Sequence, residues 1–210
     1  MKADKYLTGV DMLRDYAIRN NQFSKAGTYY PGIRMPIPFR YTQTLAKNFQ
    51  VYIENIFGLP LSKVKRATSS YSIVTASPDS LSLHQRIPHF DAPSRNSLAM
   101  IHYLCDIPDS GTALYRHKQS TFEYVDDKRK QQYMQNIEQQ FDDLLKHPQG
   151  YICGNTDYFE IIKSFSAVYN RLVMYRGSSL HSGSIQPDYN FDPSPKTGRL
   201  TITTFIEFRE

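Results

Sequence analysis

The sequence predicts an α+β chain with a β-sandwich or barrel core, helices toward the N-terminus and one helix inserted among the strands. Two patterns carry this. From residue 66 onward, short runs rich in β-branched and aromatic residues occupy 69–76, 99–105, 112–117, 158–165, 171–175 and 200–208. Turn residues separate most of them, as in Ser77-Pro78-Asp79, Pro108-Asp109-Ser110-Gly111 and Asp192-Pro193-Ser194-Pro195. Helical spacing of apolar side chains is confined to segments near 11–19, 42–57 and 127–147. The 210 residues are 40% hydrophobic and 21% charged, enough for one domain with a substantial core. No internal repeat, low-complexity tract or internal boundary is visible. Residues 1–210 are therefore expected to form a single domain, with 1–66 as helical and loop support and 67–210 as the β core.

In chain order, 11–19 fits a short helix with Met12, Leu13, Tyr16 and Ala17 on one face. The stretch Tyr29-Tyr30-Pro31-Gly32-Ile33-Arg34-Met35-Pro36-Ile37-Pro38 holds three prolines in eight residues, which exclude a helix. It reads as a packed connecting loop, with Tyr30 and Arg34 as candidates to face a substrate. Residues 42–57 fit an amphipathic helix carrying Leu45, Phe49, Tyr52, Ile53, Ile56 and Phe57, stopped by Gly58 and Pro60. The inserted helix, about 127–147, places Met134, Ile137, Phe141, Leu144 and Leu145 on one face. Asp126 or Asp127 suits its start, and Lys146 and His147 its end.

The formal charge is +5 and the sequence pI near 9.1, but the basic residues are scattered. The dense run Lys128-Arg129-Lys130 follows two aspartates and suits a solvated helix start, so no nucleic-acid partner is expected. Trp is absent, and 16 Tyr and 12 Phe supply the large core side chains. Cys105 and Cys153 form no Cys-x-x-Cys pair, which argues against a structural zinc site, and both are expected in the core as reduced thiols. The start Met1-Lys2-Ala3-Asp4-Lys5 has no apolar leader, and no stretch approaches 18 apolar residues, so a cytoplasmic protein without a membrane span is expected.

The chemistry centres on Pro88-His89-Phe90-Asp91-Ala92-Pro93. In an extended segment His89 and Asp91 point the same way. An imidazole and a carboxylate so placed make two-thirds of a 2-His-1-carboxylate triad, the ligand set of non-heme Fe(II) oxygenases. His181, in Arg176-Gly177-Ser178-Ser179-Leu180-His181-Ser182-Gly183, is the candidate third ligand. A surface turn before Pro93 would also read His-x-Asp. Of the other histidines, His84 and His102 flank these motifs, while His117 and His147 are expected to be exposed.

From residue 72 to 208 the ordered series resembles the Fe(II)/2-oxoglutarate-dependent oxygenases, particularly the prolyl-hydroxylase-like group. His89-Phe90-Asp91 resembles the first metal motif, and the strand around Tyr175 with the loop to His181 resembles the second. Ser97-Leu98-Ala99-Met100-Ile101-His102-Tyr103-Leu104 is similar to a strand whose tyrosine bonds 2-oxoglutarate, and Gly111-Thr112-Ala113-Leu114-Tyr115 to the strand that follows. Thr197-Gly198-Arg199-Leu200-Thr201-Ile202-Thr203 is similar to the late strand that binds the distal carboxylate. The resemblance implies a double-stranded β-helix (jelly-roll, cupin-like) core. It implies Fe(II) on His89, Asp91 and His181, and 2-oxoglutarate on Arg199, Thr201 and Tyr103, with O2 as co-reactant. His102 and Tyr103 alternate, so one of them faces the pocket, and the resemblance selects Tyr103.

Asp91 favours hydroxylation, because related halogenases have Gly or Ala there. Two departures stand out: a long loop at 186–196, and Ser77-Pro78-Asp79-Ser80 where many relatives carry a tyrosine. The substrate is expected to be an amino acid, a peptide or another small molecule. The N-terminal region and the inserted helix are candidates for a lid or a subunit contact, which leaves a homodimer open. The competing readings are a metal-dependent hydrolase or isomerase on a cupin-like barrel, using Zn or Mn, and a barrel that binds a ligand without catalysis.

Overall fold

The computed structural model describes residues 1–27, 29–146 and 150–210. The N-terminal segment runs β1 (Lys2–Ala3), α1 (Asp11–Asn20), β2 (Ser24–Lys25), β3 (Gly32–Pro36), α2 (Phe39–Asn48) and α3 (Gln50–Phe57). Then come β4 (Val64–Val74), the single turn α4 (Leu83–Arg86), β5 (Ser97–Tyr103) and β6 (Ile107–His117). After α5 (Asp127–Gln139) and α6 (Phe141–Lys146) the chain finishes with β7 (Phe159–Ala167), β8 (Leu172–Arg176), β9 (His181–Ser184) and β10 (Leu200–Phe208). The strands form two sheets, ordered β1-β8-β5-β10-β4-β3-β2 and β7-β6-β9, with every pairing antiparallel.

Strand alternation divides the interior. On β10, Leu200, Ile202, Ile206 and Phe208 pack into a core shared with α1, α2 and α3, which holds Ala17, Leu45 and Ile53. Thr201, Thr203 and Phe205 point the other way, into the space between the sheets. Likewise Leu98, Met100 and Leu104 face the helices, whereas Ala99 and Tyr103 pack with Phe165 and Val173 between the sheets. Helix α5 closes the outer side of the small sheet, burying Tyr133 and Ile137 against Ala113, Tyr115 and Phe159.

Several expectations are corrected here. The 29–38 stretch is not a plain loop. Its residues 32–36 form β3, which pairs with β4, and the prolines are tolerated because Pro31 precedes the strand, Pro36 ends it and Pro38 caps α2. The 1–66 segment therefore supplies sheet strands as well as helices. The single helix expected over 42–57 is two helices meeting at Phe49 (φ −104°, ψ 9°), whose side chain is buried. Its end is as expected: Gly58 adopts φ +66° and its amide caps Glu54.

The inserted helix also breaks. Asp126 caps α5 by accepting from the Arg129 amide at 3.1 Å, but α5 ends at Gln139. Gln140 is buried instead, bonded to His117 Nε2 at 3.0 Å and to Gln119. His117, expected at the surface, is thus fully buried, with Ser120 on its other nitrogen. Met134, Phe141 and Leu145 are exposed, as is Met12 on α1. Cys105 is buried as expected, but Cys153 is exposed. His147 lies outside the described residues. Among the described residues no helix is long and apolar enough to cross a membrane.

Candidate metal centre

Three backbone contacts assemble the centre. His89 and His181 form an antiparallel bridge, each amide donating to the other's carbonyl at 2.9 Å. His181 also sits in β9, opposite Leu114 of β6. Two residues beyond His89, the Asp91 amide donates to the Gly177 carbonyl at 2.7 Å. An added Cβ at Gly177 would lie 2.6 Å from Ser97 Oγ and 3.7 Å from Asp91 Cβ, so a side chain there would have to displace the Ser97 hydroxyl beside Asp91.

These contacts bring one ligand atom each from His89, Asp91 and His181 within 4.8 Å of one another. His181 Nδ1 donates to the Ser179 carbonyl at 2.9 Å, because a carbonyl can only accept. That fixes the tautomer and leaves the Nε2 lone pair free, 3.5 Å from Asp91 Oδ2. The His181 ring is held between His89 and Tyr175, at centroid distances of 4.4 and 4.6 Å.

His181 is buried, while His89 and Asp91 are exposed and line a cavity. Burial depresses both imidazoles to about 4, and in His89 the neighbouring His181 adds to the effect. Burial pushes Asp91 up to about 6, against the pull of His89 and Arg34. Near neutrality the centre therefore offers two neutral imidazoles and one carboxylate. That donor set fits a divalent transition ion such as Fe(II).

The cavity measures about 660 Å³ and runs from Thr201, Thr203 and Phe205 between the sheets to Lys130, Tyr133, Met134 and Ile137 of α5. Arg199 lines it while only 5% exposed. Its Nε and Nη2 donate to the Ser110 and Gly111 carbonyls, both at 2.7 Å. Among the described residues Nη1 has no hydrogen-bond partner and no carboxylate pairs with this guanidinium. A buried cation so placed fits an anionic ligand group. Thr201, two positions on, lines the same cavity, with its hydroxyl on the Ser72 carbonyl at 3.2 Å.

Register puts Arg34, Ser72, Thr201 and Tyr103 in one row across β3, β4, β10 and β5. Tyr103 packs its ring 5.5 Å from the Arg199 guanidinium, but its hydroxyl donates to Thr112 Oγ1 at 2.7 Å, and Thr112 forms the wall there. His102 turns to the opposite face, between Tyr41 and Asn170 at 3.1 Å each. Tyr30, Arg34 and His84 all line the cavity.

Sequence reasoning missed Thr112, Tyr151, Tyr175 and Tyr189. The first three line the cavity, and the Tyr189 hydroxyl accepts from the Arg199 amide at 2.8 Å. Alternation on β6 could have found Thr112, but nothing local marks Tyr151 or Tyr189. Tyr151 donates to the Ala76 carbonyl at 2.8 Å, so a tyrosine from a distant loop stands beside the 77–80 segment that lacks one.

Solved structures similar to this chain share its fold. A prolyl-4-hydroxylase from Pseudomonas putida aligns over 100% of this chain and 92% of its own, with a TM-score of 0.51 and 9% identity. The non-heme α-ketoglutarate-dependent carbocyclase SnoK, from nogalamycin biosynthesis, covers 99% and 79% with a TM-score of 0.54 and 10% identity. HygX from Streptomyces hygroscopicus, solved with nickel and 2-oxoglutarate bound, covers 99% and 82% with a TM-score of 0.51 and 9% identity. No curated protein matches the chain. The DUF6445 family, described as a family of unknown function, matches residues 1–206, and the chain belongs to it.

Proposed function

We propose that this DUF6445 protein is an Fe(II)/2-oxoglutarate-dependent dioxygenase that hydroxylates an amino acid, peptide or other small molecule. One observation carries the reading. The His89, Asp91 and His181 cluster shares a cavity with Arg199, a buried arginine that has no carboxylate partner among the described residues.

His89, Asp91 and His181 would hold the ion. Fe(II) with 2-oxoglutarate and O2 supplies oxidation of a C–H bond, with release of succinate and CO2. Arg199 receives the distal carboxylate, Thr201 adds a hydroxyl beside it, and the Ser110 and Gly111 carbonyls hold the guanidinium in place. A metal hydrolase on the same triad has no use for an unpaired arginine in this position. Asp91 occupies the place that a halogenase leaves free for chloride, so the expected product gains one oxygen.

The test is a density map from crystals soaked anaerobically with Fe(II) and 2-oxoglutarate. Metal on the three ligands and a carboxylate on Arg199 support the proposal. Metal elsewhere, or 2-oxoglutarate away from Arg199, contradicts it.

A further inference from the structure

The cavity holds more than its triad and Arg199 require. At about 660 Å³ it falls in the range that encloses a drug-sized molecule, roughly 300–1,000 Å³. 2-Oxoglutarate has ten heavy atoms and fills only part of it. The remaining wall is largely aromatic and apolar, formed by Tyr30, Phe90, Tyr133, Met134 and Tyr151. Into this wall projects a second arginine, Arg34 of β3.

The Arg34 guanidinium lies 4.2 Å from the centre of the Tyr30 ring, and among the described residues it forms no salt bridge. Its Nε is buried with no hydrogen bond, and the Tyr30 hydroxyl is buried within the influence of Ser72, Arg199 and Arg34. Burial works against its charge and pulls it below the usual arginine range. Tyr30 and, after it, the Asp91 carboxylate work in the opposite direction. An ion on the triad would draw on that same carboxylate.

Charge balance points the same way. Take both arginines as charged, Asp91 as ionised, a divalent ion on the triad and the 2-oxoglutarate dianion in place. The interior then keeps one net positive charge, and Lys130, the other basic wall residue, is exposed to solvent. A mono-anionic group on the substrate would neutralise it, and a planar guanidinium matches carboxylate and phosphate alike.

We propose that Arg34 and Tyr30 form an anion-recognition subsite for the primary substrate, so that the substrate joins an apolar or aromatic body to a carboxylate or phosphate group. The inference rests on the dioxygenase reading above, because that reading assigns Arg199 to the cosubstrate.

The test is anaerobic calorimetry on Fe(II)-loaded protein saturated with 2-oxoglutarate, using 3-phenylpropionate, phenethyl phosphate and the neutral 3-phenylpropionamide as probes. Wild type should bind at least one anionic probe about tenfold or more tightly than the amide. The tighter of the two anions identifies the carboxylate or the phosphate class. Arg34→Gln should abolish the preference, and Arg34→Lys should keep part of it. Both variants should bind 2-oxoglutarate within about twofold of wild type, which also shows that they are folded.

Equal binding of amide and anions, or no binding of either anion, overturns the subsite. So does a loss of 2-oxoglutarate affinity in Arg34→Gln matching a loss in Arg199→Ala, because Arg34 would then serve the cosubstrate. Failure of the dioxygenase reading shows separately, as wild type that binds Fe(II) but no 2-oxoglutarate.

Discussion

His89 and His181, 92 positions apart, donate their backbone amides to each other's carbonyls at 2.9 Å in both directions. The bridge fixes the spacing of two ligands without help from their side chains. The third ligand depends on a different contact, the Asp91 amide on the Gly177 carbonyl at 2.7 Å. The centre is thus held by backbone register, and it should be sensitive to residues that never touch metal.

Gly177→Ala tests this. The new methyl would stand 2.6 Å from Ser97 Oγ, which would have to turn away and give up its hydrogen bond to the Ser94 carbonyl, beside the segment that holds Asp91. Ni(II), a redox-stable probe, should bind about tenfold or more weakly, the size usual for a supporting residue of a metal site. Adding Ser97→Ala removes the clashing oxygen and should restore most of the affinity. Unchanged Ni(II) binding in the single variant would show that Gly177 does not position Asp91.

Metal affinity should also report the titration of the ligands. Asp91 holds its proton up to about pH 6, whereas His89 and His181 stay neutral down to about pH 4. Ni(II) affinity should level off above pH 6. It should fall about tenfold per pH unit below that, as one proton competes, and more steeply below pH 4. Calorimetry across pH 5–8 measures this, and a flat profile would contradict it.

His102 makes a prediction about stability. It lies buried between Tyr41 and Asn170, and burial lowers it to about 4. Above pH 6.5 the imidazole is neutral in both folded and unfolded chains, and no stability is lost. As pH falls, the unfolded chain takes up a proton that the folded chain refuses. Between pH 6.5 and 4 this one group should remove about 3 kcal/mol. His89 and His181 act in the same direction in metal-free protein. Urea unfolding of wild type and His102→Gln should therefore show a shallower acid decline in the variant. Parallel declines would mean that His102 takes up its proton without unfolding.

Sequence reading succeeded where local pattern and tertiary role coincide. Strand β10 was legible to its ends, because Leu200, Ile202 and Ile206 alternate with Thr201, Thr203 and Phe205 across two chemically distinct faces. His89, Asp91 and His181 come together as the His-x-Asp spacing and a distant histidine suggest, whereas Arg199 is singled out only by the family resemblance. The misses share a cause, partners distant in sequence. Apolar periodicity runs straight through Phe49 and Gln140, so neither helix break shows in the pattern. Gln140 leaves the helix to bond His117 and Gln119, and the same contact buries a histidine that reads as exposed. In β3 the prolines hid a strand because only pairing with β4 shows that they fall at its ends.

The most direct test of the central claim is an anaerobic titration of the Fe(II)-loaded protein with 2-oxoglutarate, following metal-to-ligand charge-transfer absorbance. Wild type should develop a saturable band, and Asp91→Ala, deprived of a ligand, should develop none. Removing one member of a buried ion pair typically costs about 3–5 kcal/mol. Arg199→Ala should thus need about a hundredfold or more 2-oxoglutarate for the same band, with Arg199→Lys in between and Fe(II) affinity little changed. A band of equal affinity in wild type and Arg199→Ala, or Fe(II) binding with no band in wild type, would contradict the account.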